Sequence, residues 1–216
     1  MPVVTIARET GAGGAEVGRL LANRLAADLV DGYLIDEVAR RLELPREDVE
    51  ARDEQPRSIV ERLLRGLALA QGPMGADASL VTDVPPDPHD AIVALTAQVI
   101  REAARSGNAV IVGRGAGFVL ADLPGVVHVF LCAPVEVRVR QLALLWGVDE
   151  ATARQRVVAD DAKRRAYVRE VHGHEWRDPH HYDLSIDTGR VSYADAAELV
   201  LLLVARRTGA SPSDAP

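Results

Sequence analysis

Five short runs of apolar residues recur along the chain, and helical stretches separate them. The runs predict β-strands over 3–7, 29–31, 109–112, 126–131 and 184–186. Short apolar strands that alternate with helices are typical of a parallel sheet covered on both faces. We therefore predict an α/β fold of three layers around a five-stranded parallel sheet. Ligands of such sheets bind beyond the carboxyl ends of the strands.

Apolar positions spaced three and four residues apart predict helices over 17–25, 34–42, 45–49, 59–69, 91–105, 135–146, 149–169 and 194–207. Residues 71–90 are rich in Gly and Pro and predict a mobile loop. Residues 208–216 predict a disordered tail, so that residues 1–207 form one domain.

Composition limits the kinds of function that fit. With 25 Lys and Arg against 32 Asp and Glu, the net charge of −7 argues against broad nucleic-acid binding. The apolar runs are shorter than the roughly 20 residues that span a bilayer, and the first residues resemble a strand more than a signal peptide. The single cysteine, Cys132, suits a reducing compartment. We expect a soluble cytoplasmic protein that binds neither nucleic acid nor membrane.

Arginine supplies nearly all of the positive charge, because Lys163 is the only lysine among the 25 basic residues. A biased genome composition explains this adequately. Whatever its cause, a phosphate site in this chain must use guanidinium groups, which bind oxyanions through two parallel hydrogen bonds.

A glycine-rich turn follows the first predicted strand and precedes a helix. Such a turn, with the N–H groups of the helix start, makes a phosphate site, although a plain βα turn has the same sequence signal. The pattern G-x-x-x-x-G-K-[ST] would place a lysine at Gly14 and a hydroxyl near Ala15, and both are missing. The glycine spacing up to Gly18 does not fit G-x-G-x-x-G, so a dinucleotide site is not expected.

The order of these pieces resembles the cytidylate kinase-like family of P-loop nucleoside monophosphate kinases over nearly the whole chain. The similar segments are Ile6-Ala7-Arg8-Glu9-Thr10-Gly11-Ala12-Gly13-Gly14, residues 29–35, Ile111 to Ala116, Val127 to Pro134, Asp161 to Tyr167, Trp176-Arg177-Asp178-Pro179 and Tyr182 to Thr188. Classical cytidylate kinases carry acids where Val112 and Gly115 stand, and a lysine at the position of Gly14. The cytidylate kinase-like branch shares the replacements found here.

The resemblance implies a P-loop kinase fold with a helical lid over about 149–181. It also implies transfer of a phosphoryl group from ATP, with Mg²⁺, to a nucleoside monophosphate, CMP or dCMP first. The residues that it implies around the ATP phosphates are Arg8, Gly11, Ala12, Gly13, Gly14 and Ala15.

Several charged residues are candidates for this chemistry. Arg114 lies between two glycines at a strand end, where it would clamp the acceptor phosphate or be a surface arginine in a tight turn. Arg8 would replace the missing lysine or pair with Glu9. Asp31 would contact the substrate or a metal-bound water. For Mg²⁺, the acids near strand ends are Glu9, Glu16 and Asp31, and none is assigned as a metal ligand.

The predicted lid carries mixed charge at helical spacing, which is usual for a solvated helix face. The resemblance implies instead that Arg164, Arg165 and Arg169 close on phosphates, with Arg164 and Arg165 catalytic and Arg169 substrate-binding. Asp161 is grouped with the catalytic residues because it would orient one of these arginines. For Arg138 and Arg140 we predict adenine-side or lid contacts.

Other residues favour structural roles. We expect no zinc site among His172, His174, His180 and His181, because no established ligand spacing is present. Trp176 and Tyr182 are expected to be core residues.

Three hypotheses for the function remain. The first is an ATP-dependent nucleoside monophosphate kinase whose partners are small-molecule nucleotides, and it leaves a homo-oligomer open. The second is a nucleotide-binding module without turnover, and the third is a P-loop kinase of another small metabolite.

Overall fold

The computed structural model of the chain describes residues 1–52 and 88–209. In these ranges the strands are β1 (Val3–Arg8), β2 (Asp28–Val30), β3 (Ala109–Val112), β4 (Val126–Cys132) and β5 (Leu184–Asp187). The helices are α1 (Gly14–Leu25), α2 (Tyr33–Leu42), α3 (Arg46–Arg52), α4 (Pro88–Ser106), α5 (Ala116–Val119), α6 (Val135–Trp146), α7 (Glu150–His172) and α8 (Tyr193–Thr208), with a 3₁₀ turn at Pro179–His181.

The strands form one parallel sheet in the order β2-β3-β1-β4-β5, which confirms the predicted fold. The central strand β1 pairs with β3 on one side and β4 on the other, so that Ile6 lies beside both Val112 and Val129. The carboxyl ends of these three strands therefore meet at one edge of the sheet. Whatever follows them in sequence is brought together there.

Helices cover both faces of the sheet. One face packs against α2, α3, α4 and α5 through a buried cluster that includes Leu34, Val38, Ile92, Ile100 and Ile111. The other face packs against α1 and α8 through a cluster that includes Ile6, Val17, Leu21, Val129 and Val200. Strands buried on both faces need an apolar residue at nearly every position. This is why the sequence shows them as continuous apolar runs.

The long helix α7 is anchored in two places. Its first half packs on α6, where Val139, Leu142, Ala153 and Val157 form a small cluster. Its second half contributes Tyr167 and Val168 to a cluster with Phe130 and Trp176. The Phe130 and Trp176 rings meet edge-on at 5.7 Å, and the Tyr182 hydroxyl donates to the Trp176 carbonyl at 2.6 Å. Residues 158–165 are thereby held beside the sheet edge. Trp176 is a buried core residue as expected, and Tyr182 is partly buried against the same cluster.

Some predicted boundaries are wrong. The loop predicted over 71–90 ends earlier, because α4 begins at Pro88 with Asp90 in its first turn, and proline and acidic residues both favour a helix start. The tail predicted from 208 begins later, since Thr208 is still in α8. Residues 71–87, 210–216 and the helix predicted over 59–69 lie outside the described residues. No helix in the described ranges is both long and apolar enough to cross a membrane.

The packing of α1 leads to a prediction about stability. Leu21 is fully buried between α1 and the sheet, whereas Leu144 on α6 is 87% exposed. Replacing a buried leucine by alanine removes apolar burial and leaves a cavity. We expect Leu21→Ala to lower the free energy of unfolding by about 2–5 kcal/mol. Leu144→Ala should change it by less than about 0.5 kcal/mol. Denaturant unfolding of both variants checks this, and equal effects would contradict the packing described.

Candidate active site

The predicted phosphate loop joins β1 to α1. Gly11 and Gly13 have φ of 86° and 78°, which only glycine adopts without strain. Both are also close to neighbours, because a Cβ on Gly11 would lie 2.7 Å from Leu142 Cδ1, and one on Gly13 would lie 2.5 Å from Tyr193 Cζ. Gly13 is the N-cap of α1 and brings no capping side chain. The first N–H groups of α1 therefore lie where an anion would be stabilised.

A buried carboxylate supports this loop from one side. Glu9 is 7% exposed. Its Oε2 accepts a hydrogen bond from the Ala133 N–H at 3.1 Å and lies 3.3 Å from Arg138 Nε. Its Oε1 lies 2.6 Å from a terminal nitrogen of Arg177. Both carboxylate oxygens are thus held by groups at the end of β4, on α6 and in the segment after α7.

A second buried carboxylate joins the loop to α7. Asp161 is 8% exposed, and its Oδ1 accepts a hydrogen bond from the Thr10 N–H at 2.8 Å. Its Oδ2 accepts from Arg138 at 2.8 Å and from Arg177 at 3.3 Å. Arg164 lies 3.8 Å from Oδ1. The carboxylate therefore fixes the loop and three guanidinium groups at once.

Arg138 is the most buried of these cations, at 4% exposed. Besides the two carboxylates, it donates to the Ala133 carbonyl at 2.8 Å and to the Thr10 carbonyl at 2.9 Å. Arg138 thus contacts Asp161 of the predicted lid, and its role toward a nucleotide stays a prediction. With its donors directed at these groups, it braces the glycine loop.

Three further arginines surround a small cavity at the ends of β1 and β3. Arg8, Arg114 and Arg164 line it, and its volume of about 20 Å³ is close to that of one water site. Arg164 also donates to the Thr10 hydroxyl. Arg114 has a φ of 55° and lies between Gly113 and Gly115, which also have positive φ. A left-handed arginine costs backbone energy, so this turn holds the side chain in an imposed direction.

The other predicted lid residues lie in a larger cavity. Arg165 and Arg169 line a space of about 650 Å³ together with Arg138, Asp161 and Arg177. Both pair with Glu175, at 3.7 Å and 2.8 Å. The predicted lid arginines are therefore divided between two cavities, because Arg164 lines the smaller one and Arg165 and Arg169 line the larger one.

The acids proposed for Mg²⁺ are dispersed. Asp31 follows the edge strand β2 and lines neither cavity. Glu16 is on the surface of α1 and pairs with Arg19 at 2.6 Å. Within the described ranges there is no group of three or more His, Cys, Asp or Glu side chains placed to hold a metal ion.

Four residues of this region carry no assigned site role in the sequence analysis. Thr10 and Arg177 bind the buried carboxylates, and Arg177 is detectable from sequence only as part of the Trp176–Pro179 segment. Tyr193 closes over Gly13, and His172 closes over Gly115, where a Cβ would lie 2.9 Å from its Cδ2 atom. No sequence pattern points to either of these two contacts.

His172 is half-buried behind the Arg114 turn. It stacks on Phe118 with ring centroids 5.3 Å apart, and its Nε2 atom is buried without a hydrogen-bond partner in the described structure. Burial lowers the pKa of His172 from 6.5 to about 4, and the neighbouring His174 contributes a smaller part of this decrease. The ring is therefore neutral at physiological pH and acts as an apolar packing group.

The chain is similar to known sequences over most of its length. The model of the cytidylate kinase-like family matches residues 3–190. A cytidylate kinase of Methanopyrus kandleri is 35% identical over 101 residues, which cover 43% of this chain and 52% of that protein. A uronate isomerase of Corynebacterium glutamicum is 29% identical over 102 residues, covering 47% of this chain and 20% of that protein. The matches thus span about half of the cytidylate kinase and about one fifth of the uronate isomerase.

Solved structures resemble the whole fold. An uncharacterized protein of Eubacterium ventriosum superposes with a TM-score of 0.67 at 22% identity, covering 94% of this chain and 98% of that one. A shikimate kinase of Bacteroides thetaiotaomicron gives a TM-score of 0.51 at 14% identity, also covering 94% and 98%. At these identities the likeness concerns the fold, which is that of P-loop kinases.

The buried network predicts a large effect of removing one charge. We expect Asp161→Asn to lower the free energy of unfolding by about 3–5 kcal/mol, because it leaves Arg138 buried with less compensation. Asp160→Asn is the matched control, since Asp160 is the neighbouring residue on α7, is 42% exposed and lies 4.0 Å from Lys163. It should change stability by about 0.5 kcal/mol or less. Chemical denaturation of both proteins checks this, and a small effect of Asp161→Asn would contradict the network.

The lowered pKa of His172 predicts acid sensitivity. Between pH 6.5 and about 4 the unfolded chain takes up a proton at His172 that the folded chain does not, so stability falls as the pH falls through this range. His172→Leu should remove this component, which is at most roughly 3 kcal/mol. His180→Leu is the control, because His180 is 88% exposed. Unfolding measured from pH 4 to 7 should show a shallower slope only for His172→Leu, and parallel slopes would contradict the assignment.

Proposed function

The chain belongs to the cytidylate kinase-like family, and from its site we propose that it transfers the γ-phosphoryl group of ATP to a nucleoside monophosphate, with CMP or dCMP favoured. The fold is that of a P-loop kinase, and the family match makes a phosphotransferase the natural class of activity. The acceptor and the use of ATP are inferred from the site.

One observation carries the proposal. Arg8, Arg114 and Arg164 come from β1, from the turn after β3 and from α7, and they line one cavity. The stem of Arg8 also packs against Gly14, the first residue of α1. Phosphoryl transfer requires positioning and charge compensation more than covalent chemistry by the protein. Three guanidinium groups around one cavity, linked by Arg8 to the start of α1, would provide both.

The roles divide according to the strands. The loop from Gly11 to Gly14 and the first N–H groups of α1 would bind the ATP phosphates. Arg114, on the turn after β3, would bind the acceptor phosphate. In the reaction, an oxygen of that phosphate, already anionic near pH 7, attacks the γ-phosphorus. The bond to the β,γ-bridging oxygen breaks, its electron pair stays on ADP, and the products are ADP and a nucleoside diphosphate.

The described residues fit Mg²⁺ only as a partner of the nucleotide. The dispersed acids provide no preformed cage, and Ala15 stands where P-loop proteins place a hydroxyl ligand. Mg²⁺ is commonly held by substrate phosphates, water and one or two carboxylates. The proposal therefore gives the ion to the ATP phosphates and assigns no chain residue to it.

The geometry corresponds to a closed lid. Arg164 of α7 contacts the Thr10 hydroxyl of the loop. Admission of a nucleotide requires that α7 withdraw from the loop, and closure then excludes water from the transfer. Arg165 and Arg169, paired with Glu175, would act on the outer face of the lid during this movement.

The missing lysine keeps a second function in consideration, namely nucleotide binding without turnover. A kinase of another small metabolite is the third. Production of ADP, measured with Mg·ATP and a panel of nucleoside monophosphates beside direct ATP binding, separates the three. ADP formed only with an acceptor supports the proposal, and ATP binding without acceptor-dependent ADP contradicts it.

The acceptor role of Arg114 leads to a kinetic prediction. Arg114→Ala should raise the acceptor KM by roughly 10- to 100-fold, which is the loss of one or two charge-assisted hydrogen bonds, with little change in ATP affinity. Arg101→Ala, which removes an exposed arginine from α4, is the matched control and should leave both constants unchanged. Steady-state kinetics with varied acceptor checks this. An unchanged acceptor KM in Arg114→Ala would remove Arg114 from the site.

A further inference from the structure

The structure leaves no space for a side chain at position 14, where the chain has Gly14. It is the first residue of α1 and does not have a positive φ, so its backbone would accept any residue. A Cβ built on Gly14 would lie 2.6 Å from Arg8 Cγ and 3.1 Å from Arg8 Cβ and Cδ. Carbon atoms do not approach to 2.6 Å without displacement. The aliphatic part of the Arg8 side chain therefore occupies the space of a side chain at position 14.

The other end of Arg8 lies against a second glycine. A Cβ on Gly113 would lie 2.9 Å from Arg8 Cζ and 3.1 Å from one terminal nitrogen, with the other nitrogen nearer still. Gly113 begins the turn that carries Arg114. The Arg8 side chain thus runs from the N-terminus of α1 to the Arg114 turn, and a glycine makes room for it at each end.

Compared with the P-loop pattern, the sequence has a glycine and a cation at exchanged positions. Aligned on Gly13 and Gly14, the pattern G-x-x-x-x-G-K begins at position 8 and ends at position 14. That pattern has a glycine at the first of these positions and a lysine at the last. This chain has Arg8 and Gly14. The glycine and the cation have thus changed places between positions 8 and 14, which are in contact.

We propose that Arg8 is the phosphate-binding cation of this loop, in place of the lysine that P-loops carry at position 14, and that Gly14 and Gly113 are the space it requires. The proposal rests on the proposed function and deepens it. Lysine is a point charge, whereas the planar guanidinium group donates in two directions. The Arg8 guanidinium, between the α1 N-terminus and Arg114, is placed to bind the transferred phosphoryl group along with the donor or the acceptor phosphate.

Glu9, the other partner considered for Arg8, is engaged elsewhere. Its two oxygens are held by Arg177, Arg138 and the Ala133 N–H. Asp161 Oδ1 lies 3.8 Å from Arg164, one of the arginines of this cavity. Three guanidinium groups thus line the cavity, and guanidinium groups are the cations that bind phosphate through two parallel hydrogen bonds.

The first test removes the charge and keeps the shape. Arg8→Gln preserves the stem that packs on Gly14. We expect it to lower kcat about 10²- to 10³-fold, the usual effect of losing one donor to transition-state charge. Arg8→Lys should retain more activity than Arg8→Gln, because a cation remains on a similar stem. Arg19→Gln is the control, since Arg19 is a surface residue of α1 paired with Glu16. Wild-type kcat in Arg8→Gln would overturn the proposal.

The second test reverses the exchange. Arg8→Gly and Gly14→Lys are made singly and together, and residue 8 must be glycine because even Arg8 Cβ lies 3.1 Å from a Cβ at position 14. Each single change should lower kcat by 10-fold or more, Gly14→Lys through the clash with Arg8. The double variant should exceed both single variants at least tenfold. Full activity of Gly14→Lys, or a folded double variant no better than Arg8→Gly, would overturn the proposal.

A measurement of Mg·ATP binding distinguishes failure of the Arg8 proposal from failure of the proposed function. If the wild-type protein forms no ADP with any acceptor, the proposed function fails. The Arg8→Gln variant then still tests the cation through its Kd for Mg·ATP measured by calorimetry. A Kd raised about tenfold or more supports a phosphate contact by Arg8, and an unchanged Kd overturns it.

Discussion

The arrangement of the site depends on two carboxylates buried between the glycine loop and helix α7. Glu9 and Asp161 are 7% and 8% exposed, and Arg138 between them is 4% exposed. Removal of such charges from water costs several kcal/mol per ion, which close partners must offset. The end of β4, the start of α6 and the middle of α7 must therefore be in place together. The loop has its observed shape only when all three are present, because Asp161 holds the Thr10 N–H and Arg138 holds the Thr10 carbonyl.

Arginine suits this arrangement better than lysine. One Arg138 side chain donates to two backbone carbonyls and to Asp161, and it also approaches Glu9. An ammonium group, which is a compact point charge, would not reach these acceptors in their different directions. The near absence of lysine thus has a structural consequence, whatever its origin. The buried network and the proposed phosphate site both use guanidinium groups, and Asp161 lies close to Arg138 of the network and to Arg164 of the proposed site.

The sheet could be predicted from sequence because parallel strands buried on two faces are continuous apolar runs. The short helix α5 could not, since four residues carry no periodicity. Nor could the buried network, whose Thr10 and Asp161 are 151 residues apart. The charged stretch around Asp161 has the pattern of a solvated helix face, yet one of its acids is buried. Periodicity reports the average environment of a helix, and a single inward carboxylate on a polar helix does not alter that average.

The glycines of the loop show how a failed motif can still be informative. Gly11 and Gly13 are required by backbone conformation, which a sequence pattern can anticipate from the turn. Gly14 has a helical backbone, and its lack of a side chain has its cause in Arg8, six positions earlier. Considered one position at a time, the missing lysine indicates a damaged phosphate loop. Considered as a contacting pair, positions 8 and 14 still hold one cation and one glycine. Under the proposal, the loop keeps a cation for phosphate, and this cation comes from the end of strand β1 instead of the start of helix α1.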